Sequence, residues 1–481
     1  MRKKTKIVAT ISDRNCDVSF IKKLREAGVN VVRLNTAHQT HEDTLKVIKN
    51  VRQVSERIAL LLDTKGPEIR TTKAVEPINV TYGDEIFIKG DPDKVTTRDC
   101  ICVNYQGFVE DVPVGSMVLI DDGAIALKIK GKEEDKLLCK VENDGIIEGR
   151  KSVNIPSVHV KLPALSQKDI DYIHFAVDQD LDFIAHSFVR NKDDAIAVQK
   201  ILDERGSDIK IIAKIENQDG VDNIDEILDH VYGVMIARGD LAVEVPQHRI
   251  PIIQKMLIDK CVSKGKPVIT ATQMLHSMIH HPRPTRAEIS DVANAIYDGT
   301  DAVMLSGETA YGEFPIKAVQ VMTSIAMEVE AAKVQNVSKP MAVQDVKNDI
   351  ITFLGYSAVR AHQQLGTKAI LADSTTGRTI KAIAAYRGNC IVFAQCYNKR
   401  VMRELALSYG VYANYMEGSK SREDFILDGL KRLMNKSNIS EEDRVVVIAG
   451  NFGVNIGASF MEISTVKNLL ENSNKTLSFS R

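Results

Sequence analysis

Residues 209–240 read IKIIAKIENQDGVDNIDEILDHVYGVMIARGD. A β-branched run, IKIIAKIE, gives way to a segment of helical period and then to a second apolar run, YGVMIARGD. Continuous apolar strands joined by helices indicate parallel strands buried on both faces. The same unit recurs outward in both directions. KPVITATQ (266–273) and DAVMLSGE (301–308) follow it; DFIAHSF (182–188), IALLLD (58–63), NVVRLN (30–35) and KIVATI (6–11) precede it. Eight such units are the number that closes a TIM (β/α)8 barrel, the fold class expected here.

One interval breaks the rhythm, because about 120 residues separate the third and fourth runs. Between 71 and 161 the chain shows strand-like alternation and turn signals (TYGDEIFI, LIDDGAIALKI, KLLCKVENDG, RKSVNIP) with no convincing amphipathic helix. This reads as an inserted small all-β domain. It leaves the barrel where a strand ends, so it is expected to overhang the mouth as a lid. After the last barrel helix, KVQNVSKPMAVQDVKND is polar and aperiodic and reads as a linker. Beyond it TKAILAD (367–373), CIVFAQC (390–396), GVYANYM (410–416) and RVVVIAG (444–450) alternate with helical periods, which suits an open α/β sheet. The expected organisation is a barrel from 1–70 and 162–335, a β lid over 71–161 and a C-terminal α/β domain over 350–481.

The 481 residues carry 63 Lys+Arg against 64 Asp+Glu, a formal charge of −1, with 44% hydrophobic and 26% charged residues. That is an ordinary globular mix. The balance argues against a nucleic-acid binder that relies on a broad basic field. No apolar run reaches the roughly 18 residues a membrane span needs. The opening MRKKTKIVATISD lacks the apolar core of a secretory signal, so the cytoplasm is the expected location. Seven cysteines are scattered with no C-x-x-C spacing, and even the close pair Cys100 and Cys102 reads as reduced thiols.

Catalytic groups of such a barrel lie at the C-terminal ends of its strands. Strand two ends in Arg33, Asn35 and His38; strand three in Asp63, Thr64 and Lys65, with Glu68 and Arg70 just after; strand five in Lys214 and Glu216; strand six in Arg238, Gly239 and Asp240; strand seven in Thr272 and Gln273; strand eight in Ser306 and Glu308. Lys214 and Glu216 are two apart and share a side, and Asp240 comes from the neighbouring strand. Two carboxylates without histidine or cysteine favour a hard ion, Mg²⁺ or Mn²⁺, over zinc. Arg33 and Lys214 suit a phosphate-bearing substrate. Glycine at 239 permits close backbone approach, so amides there could bind a carboxylate, while Asp240 could alternatively serve only as a helix cap. No G-x-x-x-x-G-K-[ST] loop occurs.

VVRLNTAH, LLDTKGPEIRT, IIAKIENQDGV, MIARGDLAVEVP, ITATQML and RPTRAEISDVANAIYDGTDAVMLSGETA resemble the pyruvate kinase family in the family's own order. The resemblance runs through the whole chain, tightly in the barrel and loosely elsewhere. It implies transfer of the phosphoryl group of phosphoenolpyruvate to ADP. It further implies Mg²⁺ on Glu216 and Asp240, the substrate phosphoryl group on Arg33 and Lys214, and its carboxylate on Gly239, Asp240 and Thr272. Lys214 would also stabilise the enolate, and Thr272 would lie near the face where that enolate is reprotonated. Asn35, His38, Arg70 and Lys151 would face the nucleotide phosphates; Asn35, Asp63 and the Thr64 carbonyl would bind K⁺. A homotetramer is implied as well, and the loop Ser374-Thr375-Thr376-Gly377-Arg378-Thr379 matches the family's sugar-phosphate effector site, where amides entering a helix can cradle phosphate.

Three departures from the family pattern stand out. Ala37 removes a hydroxyl normally assigned to the monovalent cation, a place that water or Thr36 would have to take, although Glu68 occupies the position that goes with potassium dependence. His186 stands where small residues are usual and reads as a packed imidazole. GNFGVNIGASFMEI replaces a more typical glycine-rich effector loop. A barrel lyase or mutase acting on phosphoenolpyruvate would want the same metal and anion clamps but neither the lid nor Arg70 and Lys151. A metabolite sensor would not need Lys214, Glu216 and Asp240 together.

Overall fold

The eight apolar runs form the strands Lys6–Thr10, Val31–Asn35, Ala59–Asp63, Phe183–His186, Lys210–Ile215, Gly233–Ala237, Val268–Ala271 and Ala302–Leu305. They close into one parallel barrel in chain order. This computed structural model describes residues 3–37, 39–156, 158–335, 349–417, 421–436, 439–450 and 458–479. Side-chain alternation sorts each strand between two cores. Val8, Leu61, Phe183, Ile212, Met235 and Ile269 meet inside the barrel, whereas Ile7, Leu60, Ile184, Ile211 and Val234 pack outward against the helices. The inward set therefore includes Ser187, two residues on from Ala185, and Lys214, two on from Ile212.

Each run is longer in the sequence than the strand it forms. The surplus residues, Glu216, Gly239, Asp240, Thr272 and Gln273 among them, lie on the loops and helix starts above the barrel, where chemistry is expected. Strand six passes directly into a short helix, Arg238–Glu244, capped by the Ala237 backbone, so Asp240 sits inside a helix and is not its cap. Pro246 ends the short helix, and a 3-10 turn, Gln247–Arg249, leads into the long one, Ile250–Ser263.

Between strands three and four, Val153–Asn154, Met117–Ile120, Ile125–Glu133, Lys136–Val141, Glu85–Gly90 and Cys100–Val103 form a six-stranded sheet in that spatial order. Ile86, Ile101, Phe108, Leu127 and Val141 give it its own core. A single four-residue helix, Phe108–Asp111, interrupts the all-β reading. After the barrel, Val411–Tyr415, Val392–Cys396, Ala369–Ser374, Arg444–Gly450 and Ala458–Thr465 form a second open sheet. Its last strand is antiparallel and half exposed, and hydrophobic runs alone did not reveal it. Residues 336–348 of the expected linker lie outside the described residues, and the helix Pro315–Gln335 covers the linker's first residues. All seven cysteines are free thiols.

The barrel floor is tied to the C-terminal sheet through two buried aspartates. Asp182, one residue before strand four, pairs with Arg403 and with Arg52 at 3.1 Å, and accepts the Leu60 amide at 2.8 Å. Asp301, one residue before strand eight, pairs with Arg387 at 2.6 Å and accepts the amides of Tyr409 and Val268 at 2.9 and 3.1 Å. Among the described residues no helix is long and apolar enough to cross a membrane.

Candidate active site

The barrel mouth holds a closed chain of charges. Lys214 extends its ammonium to Asp63 Oδ1 at 2.9 Å, Glu216 Oε1 at 3.0 Å and Ser187 Oγ at 2.6 Å. Arg33 Nε meets the other oxygen of Asp63 at 2.5 Å, and its Nη1 donates to Thr10 Oγ1 at 3.0 Å. The second Glu216 oxygen accepts the Phe188 amide at 2.7 Å. Burial alone draws the Lys214 pKa down, but Asp63 and Glu216 outweigh it and hold the ammonium charged. Burial pushes Asp63 up, and Arg33 and Lys214 reverse the effect, so it stays ionised. Glu216 is pushed up to about 7 by burial, against Lys214, with Asp240 and Asp63 adding repulsion.

Crowded carboxylates of this kind fit a cation. Asp240 is exposed and its carboxylate has no hydrogen bond or ion pair among the described residues. With Glu216 it offers oxygen ligands only. No group of three or more His, Cys, Asp or Glu residues is placed to hold a metal among the described residues. The remaining ligands of a hard ion would thus come from substrate and water, the usual arrangement for Mg²⁺.

Beside this chain the Gly239 amide donates to Thr272 Oγ1 at 2.7 Å, and that hydroxyl donates to the Ala271 carbonyl at 2.6 Å. Thr272 and Gln273 both have left-handed backbones, φ 67° and 53°. For a β-branched residue this is a costly conformation that surroundings must impose. Gly239 itself is unstrained, and a Cβ there would meet Thr272 Cβ and Oγ1 at an ordinary 3.5 Å. Its lack of a side chain therefore answers no need of the protein's own packing.

At the stem of the lid the structure brings Arg70 and Lys151 together. Arg70 forms an isolated antiparallel bridge with Ser152, and Thr71 donates its amide to the Lys151 carbonyl at 2.9 Å. Neither cation is idle: Arg70 pairs with Glu68 at 2.7 Å, and Lys151 with Asp121 and Glu148 at 3.0 and 3.1 Å. An open cleft between lid and barrel is lined by Glu68, Ser152, Asn154, Phe188, Asn217 and Asp240. His38 lies outside the described residues.

The oxygens expected to bind K⁺ are neighbours, since Asn35 and Asp63 face each other across adjacent strands. Each is already engaged. Asn35 Oδ1 accepts the Ala37 amide at 3.1 Å, the Thr64 carbonyl accepts Ser187 Oγ at 2.6 Å, and Asp63 holds two cations. Thr36 is buried and donates its hydroxyl proton to the Asp63 carbonyl at 2.8 Å. His186 points outward from the barrel and is fully buried, with no hydrogen-bond partner on either ring nitrogen among the described residues; burial draws its pKa down to about 4.

In the C-terminal sheet, Ser374 ends a strand and its hydroxyl accepts the Gly377 amide at 2.7 Å. Gly377, left-handed at φ 80°, opens the helix Arg378–Ala385; Thr375 and Thr376 are exposed, Thr379 is buried, and Arg378 pairs with Asp349 at 3.0 Å. Residues 451–457, the first part of the atypical loop expected opposite, lie outside the described residues.

Sequence reading missed Ser187, which bridges Lys214 to the Thr64 carbonyl. Counting inward positions from Phe183 and Ala185 would have found it. It also missed Thr10, for which a lone threonine at a strand end gives no signal.

A family model for the pyruvate kinase barrel domain matches residues 2–319, and one for the pyruvate kinase alpha/beta domain matches 353–464. The chain is 48% identical to a pyruvate kinase of Borreliella burgdorferi, covering 98% of this chain and 99% of that protein. It is 42% identical to one of Bacillus licheniformis, covering 96% and 80%. A crystal structure of a pyruvate kinase from Cryptosporidium parvum superposes with a TM-score of 0.89 at 36% identity, covering 96% of each chain. The ordered charge chain at the barrel mouth, the lid and the second sheet thus occur together in a chain that belongs to the pyruvate kinase family, enzymes that transfer the phosphoryl group of phosphoenolpyruvate to ADP.

Proposed function

We propose that this chain carries out that transfer, the last step of glycolysis in the cytoplasm, at the charge chain of its barrel mouth. The observation that carries the reading is the buried Lys214 ammonium, fixed by Asp63, Glu216 and Ser187 beside Arg33. Phosphoryl transfer needs alignment and charge neutralisation more than covalent chemistry. Arg33 offers a planar fork and Lys214 a point charge to the phosphoryl oxygens. As the phosphoryl group leaves, charge moves onto the enolate oxygen, and a preorganised Lys214 stabilises it without reorganisation. The Gly239 amide and the Thr272 hydroxyl exchange their mutual hydrogen bond for the substrate carboxylate. Thr272 then stands where a proton reaches the enolate carbon.

Glu216 and Asp240 would hold Mg²⁺ or Mn²⁺, which when bound neutralises charge on the phosphoryl and enolate oxygens. Arg70 and Lys151 turn toward the nucleotide phosphates by exchanging their carboxylate partners for phosphate, and Asn35 and His38 are assigned to the same phosphates. K⁺ at Asn35, Asp63 and Thr64 would use the second lone pairs of oxygens that already accept one hydrogen bond and would share Asp63 with Arg33 and Lys214. The Ser374–Thr379 loop is read as a sugar-phosphate site, to be tested by titrating sugar phosphates against activity. A homotetramer is expected, and sedimentation at assay concentrations tests it. For the reaction itself, ADP-dependent pyruvate formation is measured with and without Mg²⁺. Phosphoenolpyruvate consumed without ADP and without matching pyruvate would favour a lyase or mutase instead.

A further inference from the structure

Within the longest motif of the sequence, RAEISDVANAIYD forms the helix Arg286–Asp298, capped by Thr285, and none of its side chains enters the charge chain at the mouth. Its contacts lead there indirectly. Asp291 on this helix pairs with Arg238 Nη1 at 2.6 Å, and Gln254 accepts from the same nitrogen at 3.2 Å. The guanidinium is thereby turned toward the end of strand seven. Its Nη2 donates to the Thr272 carbonyl at 2.8 Å and contacts Met274 Sδ at 2.8 Å, and its Nε donates to the Ala271 carbonyl at 3.3 Å. Arg238 thus grips the carbonyls on either side of Thr272, the first residue of the left-handed turn.

We infer that Arg238, oriented by Asp291, is a positioning residue that imposes the left-handed backbone of Thr272 and so aims its hydroxyl at the substrate carboxylate and the enolate face. The inference rests on the role proposed above for Thr272. Free of restraint, a β-branched residue leaves the left-handed region, which is disfavoured for it. An extended backbone at Thr272 would carry Oγ1 away from the Gly239 amide it now accepts from at 2.7 Å. The planar fork is essential to the device, because three differently directed acceptors, Asp291 and the carbonyls of Ala271 and Thr272, are served by one rigid group. Lysine has no such geometry. The same helix is secured independently of Arg238: Thr285 and Glu288 form a capping box, and Glu288 also accepts the Ser277 amide at 2.7 Å. Loss of the Arg238–Asp291 pair therefore loosens the turn and leaves the helix in place.

The test uses the full-length enzyme with Mg²⁺ and reads two quantities: steady-state turnover, and exchange of pyruvate methyl protons into D₂O followed by NMR. The second isolates proton movement at carbon from phosphoryl transfer to ADP. Arg238→Lys and Asp291→Asn are each expected to lower methyl exchange and kcat at least tenfold and to raise KM for phosphoenolpyruvate, because the misaimed Thr272 hydroxyl also leaves the carboxylate, with the circular dichroism spectrum unaltered. Addition of guanidinium to Arg238→Ala is expected to restore part of the exchange. Exchange within twofold of the parent in folded Asp291→Asn and Arg238→Lys overturns the inference. Thr272→Ala is the separate control: unchanged exchange in that variant defeats the role of Thr272 itself, whereas a large loss there with none at Arg238 defeats only the positioning claim.

Discussion

His186 gives the protein a pH-dependent weakness that can be measured apart from catalysis. Its imidazole is fully buried with both nitrogens unpartnered among the described residues, and burial draws the pKa from 6.5 to about 4. A base whose folded pKa is depressed contributes stability that is complete above the unfolded value and is lost as pH falls toward the folded one. Between about pH 6.5 and 4 the unfolded chain therefore takes up a proton that the folded chain refuses. At about 1.4 kcal/mol per pH unit, this removes about 3 kcal/mol of stability across the interval. His186→Leu keeps most of the volume and deletes the titration. At pH 7.5 the variant is expected within about 1 kcal/mol of the parent, because removal of two unsatisfied nitrogens offsets imperfect packing. At pH 4.5 it is expected to be more stable than the parent by about 2 kcal/mol. Urea unfolding followed by circular dichroism across this range provides the comparison, and other titrating groups cancel in the difference. Parallel stability profiles for the two proteins, or an imidazole that titrates near 6.5 by NMR in the folded enzyme, would refute the reasoning.

Lys214→Met is expected to cost about 2 to 4 kcal/mol of transition-state stabilisation and to lower the melting temperature, since Glu216 loses its ammonium partner and Asp63 keeps only Arg33; a turnover loss under tenfold would contradict the role given to Lys214. Gly239→Ala should fold and gain up to about 1 kcal/mol in its helix, because the new Cβ meets Thr272 at ordinary distance, yet raise KM for phosphoenolpyruvate at least tenfold; an unchanged KM argues that no carboxylate approaches that amide. Potassium should activate only at high concentration, and Glu68→Lys should relieve the requirement in part; equal rates in potassium and in a bulky organic cation at the same ionic strength would show there is none.

Much of this was legible from periodicity. The eight strands follow from apolar runs long enough to be buried on both faces, and the period of two put Lys214 and Glu216 on one side before any coordinates did. Ser187 follows the same rule but was overlooked, because His186 beside it is the more conspicuous residue. The antiparallel strand Ala458–Thr465 escaped because a half-exposed edge strand carries no continuous apolar run. The purpose of Arg238 was hidden for a different reason: what it does depends on φ at Thr272 and on a helix some fifty positions away in sequence, and neither is written in local pattern.

Asp182 and Asp301 at the barrel floor set what can be cut from this chain. The lid has a core of its own and is joined through two adjacent stem segments near Arg70 and Lys151, so excising it and bridging the stem leaves the barrel's interior covered. Excising the C-terminal sheet has the opposite effect. It takes away Arg403 and Arg387, leaving Asp182 with Arg52 alone and Asp301 without its guanidinium, and breaking a buried pair in this way costs about 3 to 5 kcal/mol where the charge stays buried. The smallest unit of this chain that keeps its floor charges paired is thus a barrel with its rear sheet, a lidless version of it forfeits Lys151 and the bond from Asn154 to Glu244, and a library that shuffles domains between relatives must inherit floor and sheet together.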